Sequence, residues 1–83
     1  MANPLLNFTE EELILTIDLA NMGYESTQLF LGKCFRDGVY GLEVDYKKSA
    51  YWLSKAADQG NITACYILGT FFRDGLGVKI DYW

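Results

Sequence analysis

The stretch DYKKSAYWLSKAADQGNITACYILGTFFRDGLGVKID, residues 45–81, decides the fold. Its second half has an echo upstream. When Gly60 to Gly75 is laid over Gly23 to Gly38, Leu68-Gly69 falls on Leu31-Gly32 and Phe72-Arg73-Asp74-Gly75 falls on Phe35-Arg36-Asp37-Gly38, a register of 37 residues (69 − 32). Self-similarity at a fixed period of this length is the mark of a stacked repeat array, in which each unit buries its apolar face against its neighbours.

Within the stretch the apolar spacing is helical. Asp45 is placed to cap a helix carrying Tyr46, Ala50, Leu53 and Ala57, with Trp52 and Ala56 on an adjoining line, ending at Gly60. Asn61 is placed to cap a second helix, with Ala64, Ile67, Leu68, Phe71 and Phe72, which closes at Gly75. A glycine inside a helix costs about 1 kcal/mol relative to alanine. Here that cost is incurred twice at one phase, at Gly32 and Gly69, and close approach of a neighbouring helix is the expected reason.

Working outward, Thr9 and Glu12 form the pattern of a capping box, with Phe8 and Leu13 in the positions of a hydrophobic staple. The helix they begin runs through Ile14, Ile17 and Ala20 to Gly23. Ser26 is the expected cap of the next helix, which carries Phe30, Leu31, Cys34 and Phe35 and stops at Gly38. The loop from Gly38 to Asp45 is one residue longer than its counterpart from Gly75 to Asp81. Asp81 is placed to start one more helix, of which Tyr82 and Trp83 are in the sequence. The expectation is an all-α superhelix of helical hairpins: an extension over residues 1–8, a capping helix over 9–23, a first repeat over 24–60 and a second, incomplete repeat over 61–83.

Composition bounds the function. Eighty-three residues, 51% of them hydrophobic and 16% aromatic, make one small folded domain rather than a disordered chain. A net charge of −4 repels phosphate backbones and anionic lipid, which argues against nucleic acid as a partner. No apolar run reaches membrane-spanning length and the first residues lack a basic, apolar leader, so a soluble cytoplasmic chain is expected. Cys34 and Cys65 are not at equivalent repeat positions and are expected to be small buried hydrophobes rather than a disulfide. Asn7-Phe8-Thr9 and Asn61-Ile62-Thr63 fit the glycosylation acceptor pattern but are better explained as helix starts.

Asp45-Tyr46, Lys48, Trp52, Lys55-Ala56-Ala57, Gln59-Gly60, Ala64, Leu68-Gly69, Phe72, Gly75, Gly77-Val78 and Asp81 together resemble the Sel-one-like repeat, a relative of the tetratricopeptide repeat. Departures are Ser49 where alanine is usual, and Phe35 and Phe72 where tyrosine is usual. The upstream copy is weaker, keeping Gly23, Leu31-Gly32, Phe35, Gly38 and Asp45. The resemblance implies an α-solenoid that works as an adaptor or scaffold, often in bacteria, binding a protein or peptide without a cofactor. It also implies that the first helix of each hairpin lines the concave face, with Leu31, Gly32 and Phe35, and then Ala64, Leu68, Gly69 and Phe72, serving the core.

The other phases of those helices, Leu29, Lys33 and Arg36 in one copy and Tyr66, Thr70 and Arg73 in the next, form the candidate binding strip. Tyrosine and arginine are the residue types that interfaces favour as anchors; the structural alternative is that both arginines complement helix C-termini and Tyr66 shields a neighbour. A different class of reading is a small inhibitor or immunity-type protein that neutralises one toxin or enzyme, for which small size and acidic charge suit steering onto a basic target. Catalysis is not expected. There is no histidine to serve as a base, two cysteines do not close a zinc site, and the glutamate run at Glu10, Glu11 and Glu12 is explained by the helix start. The unfinished repeat leaves Ile67, Phe71, Val78, Ile80, Tyr82 and Trp83 as an expected exposed edge, open to a symmetric homodimer, to a partner, or to further repeats of a longer array.

Overall fold

The computed structural model describes residues 7–79. Four α-helices follow one another: α1 (Glu10–Asn21), α2 (Glu25–Asp37), α3 (Tyr46–Asp58) and α4 (Ile62–Asp74). No strand occurs among the described residues. The most extensive packing is between α2 and α3, followed by α3 with α4 and α1 with α2.

Three of the four helix starts follow from their local sequence. The Glu12 amide donates to Thr9 Oγ1 at 3.1 Å while the Thr9 amide donates back to Glu12 Oε1 at 2.9 Å, the reciprocal capping box. The Lys48 amide donates to Asp45 Oδ1 at 3.0 Å, and the Ala64 amide to Asn61 Oδ1 at 2.8 Å. The cap expected of Ser26 does not form. α2 begins at Glu25 with Tyr24 as its N-cap, which contributes no side-chain bond. The earlier start places the Glu25 carboxylate where Asn61 Nδ2 donates to it at 2.8 Å, tying the first turn of α2 to the start of α4.

The turns after α1 and α3 are built alike. The Gly23 and Tyr24 amides donate back to Ala20 and Leu19, and the Gly60 and Asn61 amides to Ala57 and Ala56, closing each helix with the same pair of bonds. Between the turns runs a side-chain bridge. Gln28, 4% exposed, donates to the Ala20 carbonyl at 2.9 Å. Its own oxygen accepts from Gln59 Nε2 at 2.9 Å, and Gln59 also donates to the Gly23 carbonyl at 2.8 Å. Successive hairpins are thus joined by polar bonds as well as by apolar contact.

The core follows the repeat. Trp52 of α3, 6% exposed, sits in a nest of Ala20, Leu31 and Phe35, and Lys48 extends its ammonium over the Phe35 ring at 5.5 Å. Beside it Leu53 is fully buried over Gly32, where a Cβ would lie 2.6 Å from Leu53 Cδ2. The buried Ser49 hydroxyl donates to the Gly32 carbonyl. Gly32 is therefore the close-approach position that its mid-helix placement suggests.

On the other side of α3, Ala50, Leu53 and Ala56 pack against Ala64, Ile67 and Phe71 of α4. This reverses the side of α4 expected to be open: Ile67 is 7% and Phe71 1% exposed. The reason is the segment after α4. Leu76 and Val78 fold back onto this core, and the Tyr46 ring meets Phe71 edge to face at 5.7 Å. Gly77 makes the fold-back feasible, since its φ is +65° and a Cβ there would fall on the Tyr46 backbone. Ile80, Tyr82 and Trp83 lie outside the described residues.

Candidate protein-binding surface

The residues of the expected strip are not equally available. Leu29 is half-buried against the α3–α4 core, which corrects its assignment to an open surface: the packing that brings α4 onto α3 also covers this position of α2. Lys33 is half-buried, as is Thr70, whose hydroxyl donates to the Ile67 carbonyl at 2.6 Å. Tyr66 stands 75% exposed and Arg73 lies two turns further along the same helix. Ile62, 83% exposed and one turn before Tyr66, extends the surface toward the start of α4. It was legible only as an apolar residue out of phase with Ala64 and Leu68.

The two arginines repeat each other in detail. Arg36 donates from Nε and Nη2 to the two oxygens of Asp37 at 2.8 and 3.0 Å, and Arg73 to those of Asp74 at 3.0 and 3.1 Å. Each guanidinium holds the neighbouring carboxyl below the usual carboxylate range, chiefly through these hydrogen bonds. Such exposed pairs add little to stability. They matter for recognition: each arginine arrives locally neutralised, with a fixed plane and three of its five donors unspent on the aspartate. A surface of this kind suits peptide carbonyls and single carboxylates better than a polyanion.

A second feature lies at the far side of α4. Ala57, Asp58, Cys65, Leu68, Gly69 and Phe72 line an open cavity of about 260 Å³. The repeat register explains it. Ala57, Leu68 and Phe72 are the counterparts of Ala20, Leu31 and Phe35, the nest that holds Trp52, and Gly69 is the counterpart of the Gly32 beneath Leu53. Among the described residues nothing comes within 4 Å of a Cβ built on Gly69. Leu68, Gly69 and Phe72, expected in the core, are thus only half-buried, because among the described residues no helix covers this groove as α3 covers its counterpart.

Both thiols are free. Cys34 is buried as expected, and burial, with the Asp37 carboxylate nearby, pushes its thiol up to about 11. Cys65 is exposed, not buried, and borders the groove. Among the described residues no group of three or more His, Cys, Asp or Glu side chains is arranged to hold a metal ion. None of the helices among them is long and apolar enough to cross a membrane.

A feature that sequence reasoning missed sits at the opposite end. The Phe8 amide donates to the Tyr40 carbonyl at 3.0 Å, and the Phe8, Phe30 and Tyr40 rings form a triangle with centroids 5.8 to 6.1 Å apart. The longer first loop supplies Tyr40, whose φ of +56° turns its carbonyl toward Phe8. The only sequence signal was the length difference between the two loops.

In comparison with known proteins, the family model of the Sel1 repeat matches residues 26–61 and 62–82. No curated protein matches the chain.

Proposed function

Because the chain belongs to the Sel1 repeat family, we propose that it is a protein-binding module whose recognition surface is the exposed side of α4, with Tyr66 as anchor, Arg73 and Arg36 as donors and Ile62 at the rim. Repeats of this family mediate protein–protein interaction as a class, on a helical scaffold of non-catalytic type. The observation that carries the reading is Tyr66: a large aromatic residue on a central position of a repeat helix, 75% exposed. Burying such a ring against a partner is a common source of binding energy, and an adjacent arginine with spare donors supplies direction. The occupant that fits is an extended or helical peptide segment with an apolar side chain for Tyr66 and Ile62 and a carbonyl or carboxylate for Arg73. Two free thiols suit a reducing compartment, and the reading places the module in the cytoplasm.

The test compares the wild-type chain with the double variant Tyr66→Ala/Arg73→Ala as bait in an extract of the source cell, with quantitative mass spectrometry of the captured proteins. A protein enriched by the wild type and lost from the double variant, with helix content unchanged by circular dichroism, is the expected result. Partners retained at full level by the double variant would refute the surface.

A further inference from the structure

Two helix faces without a covering helix among the described residues lie at opposite ends of this chain, and the repeat register relates them. The α4 groove is the copy of the site on α2 that α3 fills with Trp52 and Leu53. Subtracting 37 from the residues of α3 that do the filling, Ser49, Trp52, Leu53 and Ala56, gives Glu12, Leu15, Thr16 and Leu19 of α1. That side of α1 is covered by no helix among the described residues. Leu15 is 60% and Met22 70% exposed, and with the half-buried Leu19 they form an apolar row at i, i+4 and i+7. On an outer helix face that row has no role in the core of its own chain.

The volumes are compensated. Leu15 is smaller than the indole of Trp52, while Leu19 is larger than Ala56, so the total presented to the groove is preserved in outline. The charges are complementary. The same register pairs Glu10 with Lys47, Glu11 with Lys48 and Asp18 with Lys55, so the acidic side of α1 matches a basic side of α3 position by position. If α1 of a second copy lay on α4 as α3 lies on α2, its three acids would run alongside the three lysines of the first copy.

We infer that the 83-residue chain self-associates head to tail, the Leu15–Leu19–Met22 row of α1 in one copy seating in the Ala57–Leu68–Gly69–Phe72 groove of the next. The occupant is a second copy of this chain, and the contact continues the stacking already present between α2 and α3. It is a heterologous contact, so it leaves a free row at one end and a free groove at the other, and assembly proceeds past the dimer. This surface is distinct from the Tyr66–Arg73 side, so the two readings stand or fall separately.

The test is the mass of the chain in solution by light scattering and sedimentation, from micromolar to millimolar concentration. The wild type should rise above its 9.4 kDa monomer mass continuously, without a plateau at twice that value. Leu15→Glu removes the row and Gly69→Leu fills the groove, and each variant alone should remain monomeric. Mixed in equal amounts they should form one dimer and stop, because Leu15→Glu still offers a groove and Gly69→Leu still offers a row. Circular dichroism confirms that the variants are folded, and attaching a bulky maleimide to Cys65 at the groove provides a block that changes no helix residue. A wild type that stays monomeric throughout overturns the inference. So does a dimer indifferent to Leu15→Glu, which would be a symmetric contact, and so does association that appears only when residues 80–83 are removed, which would assign the groove to that segment.

Discussion

Replacing Gly32 and Gly69 by alanine, one at a time, should move stability in opposite directions although the two glycines hold the same repeat position. Both lie inside helices, where alanine is favoured by about 1 kcal/mol. At Gly69 nothing among the described residues lies within 4 Å of the new methyl group, so the gain is realised. At Gly32 the methyl would lie 2.6 and 2.7 Å from Leu53 Cδ2 and Cγ, and Leu53 is fully buried with no space to retreat. Forcing an extra carbon into a packed core costs about 1–3 kcal/mol. The Ser49 hydroxyl bond to the Gly32 carbonyl would stretch as α3 moved away, adding to the loss. The net effect is a destabilisation of about 1–2 kcal/mol at Gly32 against a stabilisation of up to about 1 kcal/mol at Gly69. For a chain of this size each kcal/mol moves the melting temperature by about 4–8 °C, so the two variants should straddle the wild type by well over 10 °C in total, roughly. Thermal melts by circular dichroism at low protein concentration, where self-association does not contribute, read the difference. Equal shifts of the same sign would refute the argument that Gly32 is there to admit Leu53.

Other consequences follow from single contacts. Cys65 should react with a maleimide quickly and Cys34 slowly at pH 8, because Cys34 is buried and its thiol, at about 11, is almost wholly protonated there; mass spectrometry should show one adduct long before two. The Glu12 carboxyl is held below its ordinary 4.5 by the Thr9 amide first and the Thr9 hydroxyl second, so the stability it contributes is present above pH 4.5 and is lost as pH falls through the lowered value. Glu12→Gln should therefore flatten the acid limb of the stability profile, and an unchanged limb would show that the capping box is not felt. Gly77→Ala should destabilise the fold because its Cβ would collide with the Tyr46 backbone, and urea denaturation should register a loss of about 1–3 kcal/mol, as for other strained backbone positions.

Much of this architecture can be read from residues alone, because the devices that carry it are local. Thr9 with Glu12, Asp45 and Asn61 each cap a helix within three residues of themselves, and Gly32 announces a close neighbour by its cost in a helix interior. What could not be read is what tertiary contact decides. On α4 the pairs Ile67/Phe71 and Leu68/Phe72 are equally apolar and lie on adjoining lines, so periodicity does not say which is covered. The return of Leu76 and Val78 over Phe71 settles it in the structure. Ser26 has the chemistry of a cap, yet α2 starts earlier because Glu25 meets Asn61 from 36 residues away. Gln28 and Gln59 look like surface glutamines until the turns they bridge are placed side by side. For the binding strip, Tyr66 and Arg73 emerged from spacing, whereas the covering of Leu29 depends on α4 and is invisible in α2 itself.

The most direct measurement of the central claim, that the exposed side of α4 is where a protein partner is bound, is site-specific photo-crosslinking in the source cell. A benzophenone side chain placed at position 66 should give an adduct with a distinct protein, and the same group at Tyr51, 52% exposed on α3 beside Lys55, should not. An adduct formed equally from position 51, or from that position alone, would contradict it.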